Sequence, residues 1–84
     1  SALDALTRLR LQDLAAELLV GRTVLMVTHD PTEALRLAHR IVTMHGRPAR
    51  FGLGGVPPGL PPRPAGAPEL LRQYALLLDR LESA

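Results

Sequence analysis

The sequence predicts an α/β fold: a βαβ piece, then a proline-rich linker and a terminal helix. Three observations predict it. "TVLMVT", residues 23–28, is a short continuous apolar run of the kind that fills a strand covered on both faces. "DPTEAL" follows at once with the punctuation of a helix start: Asp30 as cap, Pro31 at the first helical position and Glu33 three residues after the cap. "RIVTM", residues 40–44, then reads as a second strand.

The elements follow in order. Asp4 can cap the first turn of an opening helix, because its carboxylate accepts from free amides there. Leu11, Leu14, Ala15 and Leu18 keep the spacing of one buried face, and Gly21 is a stop signal. In the second helix Ala34, Leu35, Ala38 and Ile41 form the apolar side. "HGR" reads as a turn, and "PARF" as an antiparallel return strand kept at an edge by Pro48. Composition changes at Gly52, so residues 1–51 form one unit and "GLGGVPPGLPPRPAGAP", residues 52–68, an exposed linker. Residues 69–84 carry a final helix, whose Leu70, Leu71, Tyr74, Leu77, Leu78 and Leu81 make a stripe. That stripe reads as docking on its own domain, with a contact between subunits as the alternative.

A doubly buried strand needs neighbours, and parallel strands joined by a crossover helix belong to sheets of about five or six strands. Only two or three strands are available in 84 residues. The rest of the sheet is therefore expected before Ser1.

Composition narrows the function. There is no cysteine, hence no disulfide or thiolate metal site. All ten basic side chains are arginines spread along the chain, and only Tyr74 and Phe51 are aromatic. A nucleic-acid binder would cluster its arginines and interleave aromatics, so these read as solvated surface. His29, His39 and His45 lack the spacing of a three-histidine metal site. His39 and His45 read as surface residues. His29 is different. It lies at the carboxyl end of a strand, where open α/β sheets bind ligands, and just before a helix whose positive end favours anions.

"SALD", about twenty intervening residues, and "THDPTEAL" together resemble the carboxy-terminal part of an ATP-binding-cassette (ABC) transporter ATPase, a P-loop NTPase. The resemblance covers residues 1 to about 50. It implies a head-to-tail dimer with ATP and Mg2+ at the interface. Ser1, Ala2, Leu3 and Asp4 would form the D-loop that communicates across it. His29 would be the catalytic switch histidine at the γ-phosphate. The implied partners are a second ATPase subunit, a transmembrane permease and, indirectly, a periplasmic or extracellular substrate-binding protein. The implied location is peripheral, on the cytoplasmic face of the membrane. "PTEAL" leans to importers of small nutrients, and the tail resembles the nitrate, taurine and hydroxymethylpyrimidine (thiamine precursor) group. "LAHRI" departs from the family's usual "LADRI" at His39.

The chain carries neither a G-x-x-x-x-G-K-[ST] phosphate loop nor an LSGGQ-like signature, and the magnesium aspartate and catalytic glutamate are expected upstream. The 84 residues alone are thus expected to be inactive. Two alternatives remain open: a cassette ATPase of a nucleic-acid maintenance system, and a non-catalytic α/β module.

Overall fold

The structure is a computed structural model that describes residues 2–82, with the side chains of residues 4–82. Three helices and two strands run in the order α1 (Ala2–Leu18), α2 (Pro31–Leu37), β1 (Ile41–His45), β2 (Arg50–Gly55) and α3 (Pro68–Glu82). The α/β class is as expected, but its connectivity differs from a βαβ unit.

The difference lies at residues 23–28. This segment carries no ladder, and the only sheet among the described residues is the antiparallel pair β1–β2. Leu25 is 92 % exposed and Val27 79 %. The reason is the one the composition of the run implies: a strand built to be covered on both faces gains nothing without neighbours, and no described strand pairs with it. The opening helix departs in the same way. It begins by Ala2, so Asp4 lies inside the first turn and is not its cap. Leu11, Leu14 and Leu18 are exposed, and the buried residue on α1 is Gln12.

The hairpin is the element the sequence described most closely. β1 and β2 pair from Val42↔Leu53 to His45↔Arg50, with a register irregularity at Ile41. Gly46 in the connecting turn has φ +82, a conformation that side chains with a Cβ rarely adopt. Gly54 allows close approach, since a Cβ there would lie 2.8 Å from the Ile41 carbonyl oxygen. The strand thus continues to Gly55, inside the stretch read as linker from residue 52.

The core sits where α2, β1 and α3 meet. Leu35, Ile41, Leu70 and Leu77 are buried, with Ala34, Ala38, Ala67 and Tyr74 packed against them. The terminal helix therefore docks on its own chain through every second turn of its stripe, while Leu71 stays 71 % exposed. Ile41 joins this core from β1, because α2 ends at Leu37 with Ala38 as its cap. With only four large side chains in the core, each counts. Leu77→Ala should cost ~2–4 kcal/mol and detach α3, measurable as a lower urea midpoint in any protein carrying this stretch.

Two arginines are not the solvated residues the composition suggested. Arg36 is 3 % exposed and Arg63 7 %. Arg63 lies in "PPRP" and donates to five carbonyls. Its Nη1 reaches Leu35 O (2.9 Å) and Ala38 O (2.7 Å), its Nε reaches Pro58 O (2.9 Å), and its Nη2 reaches Pro57 O (3.0 Å) and Gly59 O (3.1 Å). A guanidinium at the carboxyl end of α2 satisfies carbonyls the helix leaves open and complements its dipole. Burial pushes the Arg63 guanidinium below its ordinary range, yet a guanidinium remains charged under physiological conditions. The glycine- and proline-rich stretch is thereby folded onto α2.

Candidate functional site

The site is built around the seam between the extended segment and α2. The Asp30 backbone N–H donates to Thr28 Oγ1 at 3.0 Å, which turns the chain after residue 28. Asp30 Oδ1 then accepts from the amides of Thr32 (3.0 Å) and Glu33 (3.4 Å). Pro31, with no N–H to satisfy, fits the first helical position. His29 lies between these two anchors and is exposed. The backbone on either side is held, and the imidazole projects from it.

This cap has a chemical consequence. The amides of Thr32 and Glu33 already have an acceptor in the Asp30 carboxylate. Those two amides are therefore taken, while the imidazole of His29 stays exposed beside them. Half of the expected capping box is formed. Glu33 does not return to the Asp30 N–H; its Oε2 accepts from Gln12 Nε2 of α1 at 3.0 Å.

Helix α1 brings the second candidate group alongside. Asp4 and Arg8 are one turn apart on α1, and Arg8 Nη1 lies 4.0 Å from Asp30 Oδ2. That ion pair is largely solvated and contributes little by itself. Asp4, Arg8 and Gln12 of α1, Met26 of the extended segment, and Glu33 and Leu37 of α2 line an open groove of about 470 Å³. Asp4 thus reaches the groove next to the His29 seam, whereas His29 is not among its lining residues. Of the other expected D-loop residues, Ser1 lies outside the described residues, as do the side chains of Ala2 and Leu3.

The remaining histidines stay apart. His39 is exposed. His45 is half-buried in β1, with its Nε2 3.0 Å from Thr43 Oγ1. Sequence reasoning missed Gln12, Arg36 and Arg63 as the residues that join the segments. A signal existed for Arg63. A run of prolines supplies carbonyl acceptors but few N–H donors, and one arginine in its midst carries five.

The chain is similar to known proteins over nearly all of its length. It is 42 % identical over 83 residues to an aliphatic sulfonates import ATP-binding protein SsuB 1 of Nocardia farcinica, covering 96 % of this chain and 33 % of that protein. It is 54 % identical over 70 residues to an aliphatic sulfonates import ATP-binding protein SsuB of Granulibacter bethesdensis, covering 80 % of this chain and 29 % of that protein. A stretch of 44 residues, 52 % of this chain and 18 % of the relative, is 64 % identical to an uncharacterized ABC transporter ATP-binding protein of Haemophilus influenzae. The chain thus spans about a third or less of the length of these relatives. No family model and no solved structure matches it. These residues are homologous to part of the ABC transporter ATP-binding proteins.

Proposed function

We propose that this chain is the carboxy-terminal part of the ATP-hydrolysing subunit of an ABC importer. One observation carries the reading: a stretch homologous to importer ATP-binding proteins has an exposed imidazole between an extended segment and α2, where the adjoining helix amides are already satisfied. In this reading His29 is catalytic. Its ring N–H donates to a γ-phosphate oxygen as charge develops there, and its fixed backbone helps to order the attacking water. Ser1, Ala2, Leu3 and Asp4 form the loop that faces a second copy of the subunit. ATP and Mg2+ supply the reacting phosphoryl group and its charge neutralisation, but their main ligands are not among these 84 residues. The groups present fit a supporting role at the γ-phosphate and not a complete site.

The partners in this reading are a second ATPase subunit and a transmembrane permease, with a substrate-binding protein acting indirectly. None of the helices described is long and apolar enough to cross a membrane. The subunit in this reading lies peripherally on the cytoplasmic face of the membrane. As cargo, the names of the relatives favour an aliphatic sulfonate. Taurine, named by the sequence resemblance, is of that class; hydroxymethylpyrimidine finds no support in those names.

Calorimetric titration with Mg-ATP tests the division of labour. Residues 1–84 alone should show no measurable binding, while the full-length subunit binds. Micromolar binding by the 84 residues alone would overturn the reading.

A further inference from the structure

Arg36 stands where three segments meet. Each nitrogen of its guanidinium has a different partner. Nε donates to the Arg63 carbonyl at 2.9 Å, Nη1 to Gln12 Oε1, and Nη2 to Asp13 Oδ1 at 2.6 Å. The Arg63 N–H returns a bond to the Arg36 carbonyl at 2.9 Å. Gln12, itself 8 % exposed, gives its amide to Glu33, so α1 grips α2 at two positions one turn apart.

These contacts matter because little else orients the two helices. Helix α2 has seven residues, a length of about 10 Å, too short to hold its own direction. Leu11, Leu14 and Leu18 of α1 are exposed, so its leucine stripe is not what fixes it to α2. The attachment is polar, and Arg36 is its centre. Arg36 is buried while the Asp13 side chain is 54 % exposed, so their ion pair adds little stability by itself but ties the two helices in one geometry.

We propose that Arg36 is a positioning residue. It sets α2 against α1 and against the tail, and so fixes His29, at the amino end of α2, relative to Asp4, at the amino end of α1. The proposal rests on the roles given above to His29 and to the segment ending at Asp4. Arg36 touches no reacting atom; it acts through the helix that carries the imidazole.

The test is a set of variants in the full-length ATP-binding subunit: Arg36→Gln, Arg36→Lys, Asp13→Asn and His29→Ala, with the Arg36→Gln/His29→Ala double variant. Turnover, KM for ATP, melting temperature and hydrogen exchange of the α2 amides are measured together. Arg36→Gln should lower kcat about tenfold and leave KM within about twofold, since misplacing a group acts on the chemical step more than on binding. Asp13→Asn should act in the same direction but less, and Arg36→Lys should recover part of the loss. In the His29→Ala background, Arg36→Gln should add no further loss. The amides from Ala34 to Ala38 should exchange faster in Arg36→Gln. An unchanged kcat in Arg36→Gln, or a loss that multiplies with that of His29→Ala, would overturn the proposal. Normal turnover in His29→Ala would instead sink the functional reading. The relay is then judged by exchange, where unchanged protection of α2 overturns it too.

Discussion

His29→Ala in the full-length subunit should turn over ATP roughly 10²- to 10³-fold more slowly, with ATP affinity and melting temperature nearly unchanged. The magnitude is that of removing one well-placed donor to charge that develops in the transition state. The small effect on folding follows from the structure. The imidazole is exposed, and the turn is held by Thr28, Asp30 and Pro31 on either side of it. His29→Asn keeps a donor without the reach of the ring, so partial recovery at most is expected. His39→Ala and His45→Ala act as controls and should each cost little, since His39 is exposed and His45 lies in the β1–β2 hairpin, with its Nε2 3.0 Å from Thr43 Oγ1. Steady-state rates at saturating nucleotide, with melting temperatures in parallel, check all four variants. A His29→Ala variant that loses activity only by unfolding would make the histidine structural.

Arg63→Ala should lower stability by roughly 2–4 kcal/mol, about as much as Leu77→Ala. The side chain makes five bonds to carbonyls, two of them at the end of α2 and three in the 57–59 segment. Each bond to a charged donor contributes about 1.5–3 kcal/mol at most, and the freed carbonyls regain water in part, so the sum is well below additive. The tail should open first. Urea unfolding of the full-length subunit should show a lower midpoint, and amides near Arg63 and at Ala38 should exchange faster than those of β1. Arg63→Lys keeps the charge but not the fork, and should recover less than half. A loss below about 1 kcal/mol would show that the knot is incidental to stability.

The parts of the fold written in local chemistry were legible in the sequence. Asp30, Pro31 and Glu33 marked the start of α2 to the residue, because capping is a matter of neighbouring groups. The hairpin was legible from the turn "HGR" between the strand "RIVTM" and the return "PARF". The docking of α3 followed from its leucine spacing, which Leu70 and Leu77 satisfy. What was not legible depends on partners distant in sequence. "TVLMVT" has the composition of an inner strand, but composition does not supply the strands beside it. The stripe on α1 failed for the same reason. The buried arginines were hidden more deeply. Scattered arginines read as surface because nothing local reveals that Arg36 faces Gln12 and Asp13, more than twenty residues away, or that Arg63 closes the end of a helix 25 residues back.

At the candidate site, His29 was singled out by position and the structure leaves it exposed at the expected seam. The anion-attracting helix end was read too generously, since the cap that announces the helix also occupies its amides. His29 stands exposed beside that cap.

The most direct measurement is a crystal structure of the full-length subunit with a non-hydrolysable ATP analogue and Mg2+. A ring nitrogen of His29 should lie about 3 Å from a γ-phosphate oxygen, with residues 23–28 paired as an inner strand behind it. A nucleotide-bound dimer in which His29 still faces solvent, more than about 5 Å from any phosphate oxygen and with no water between, would contradict the account.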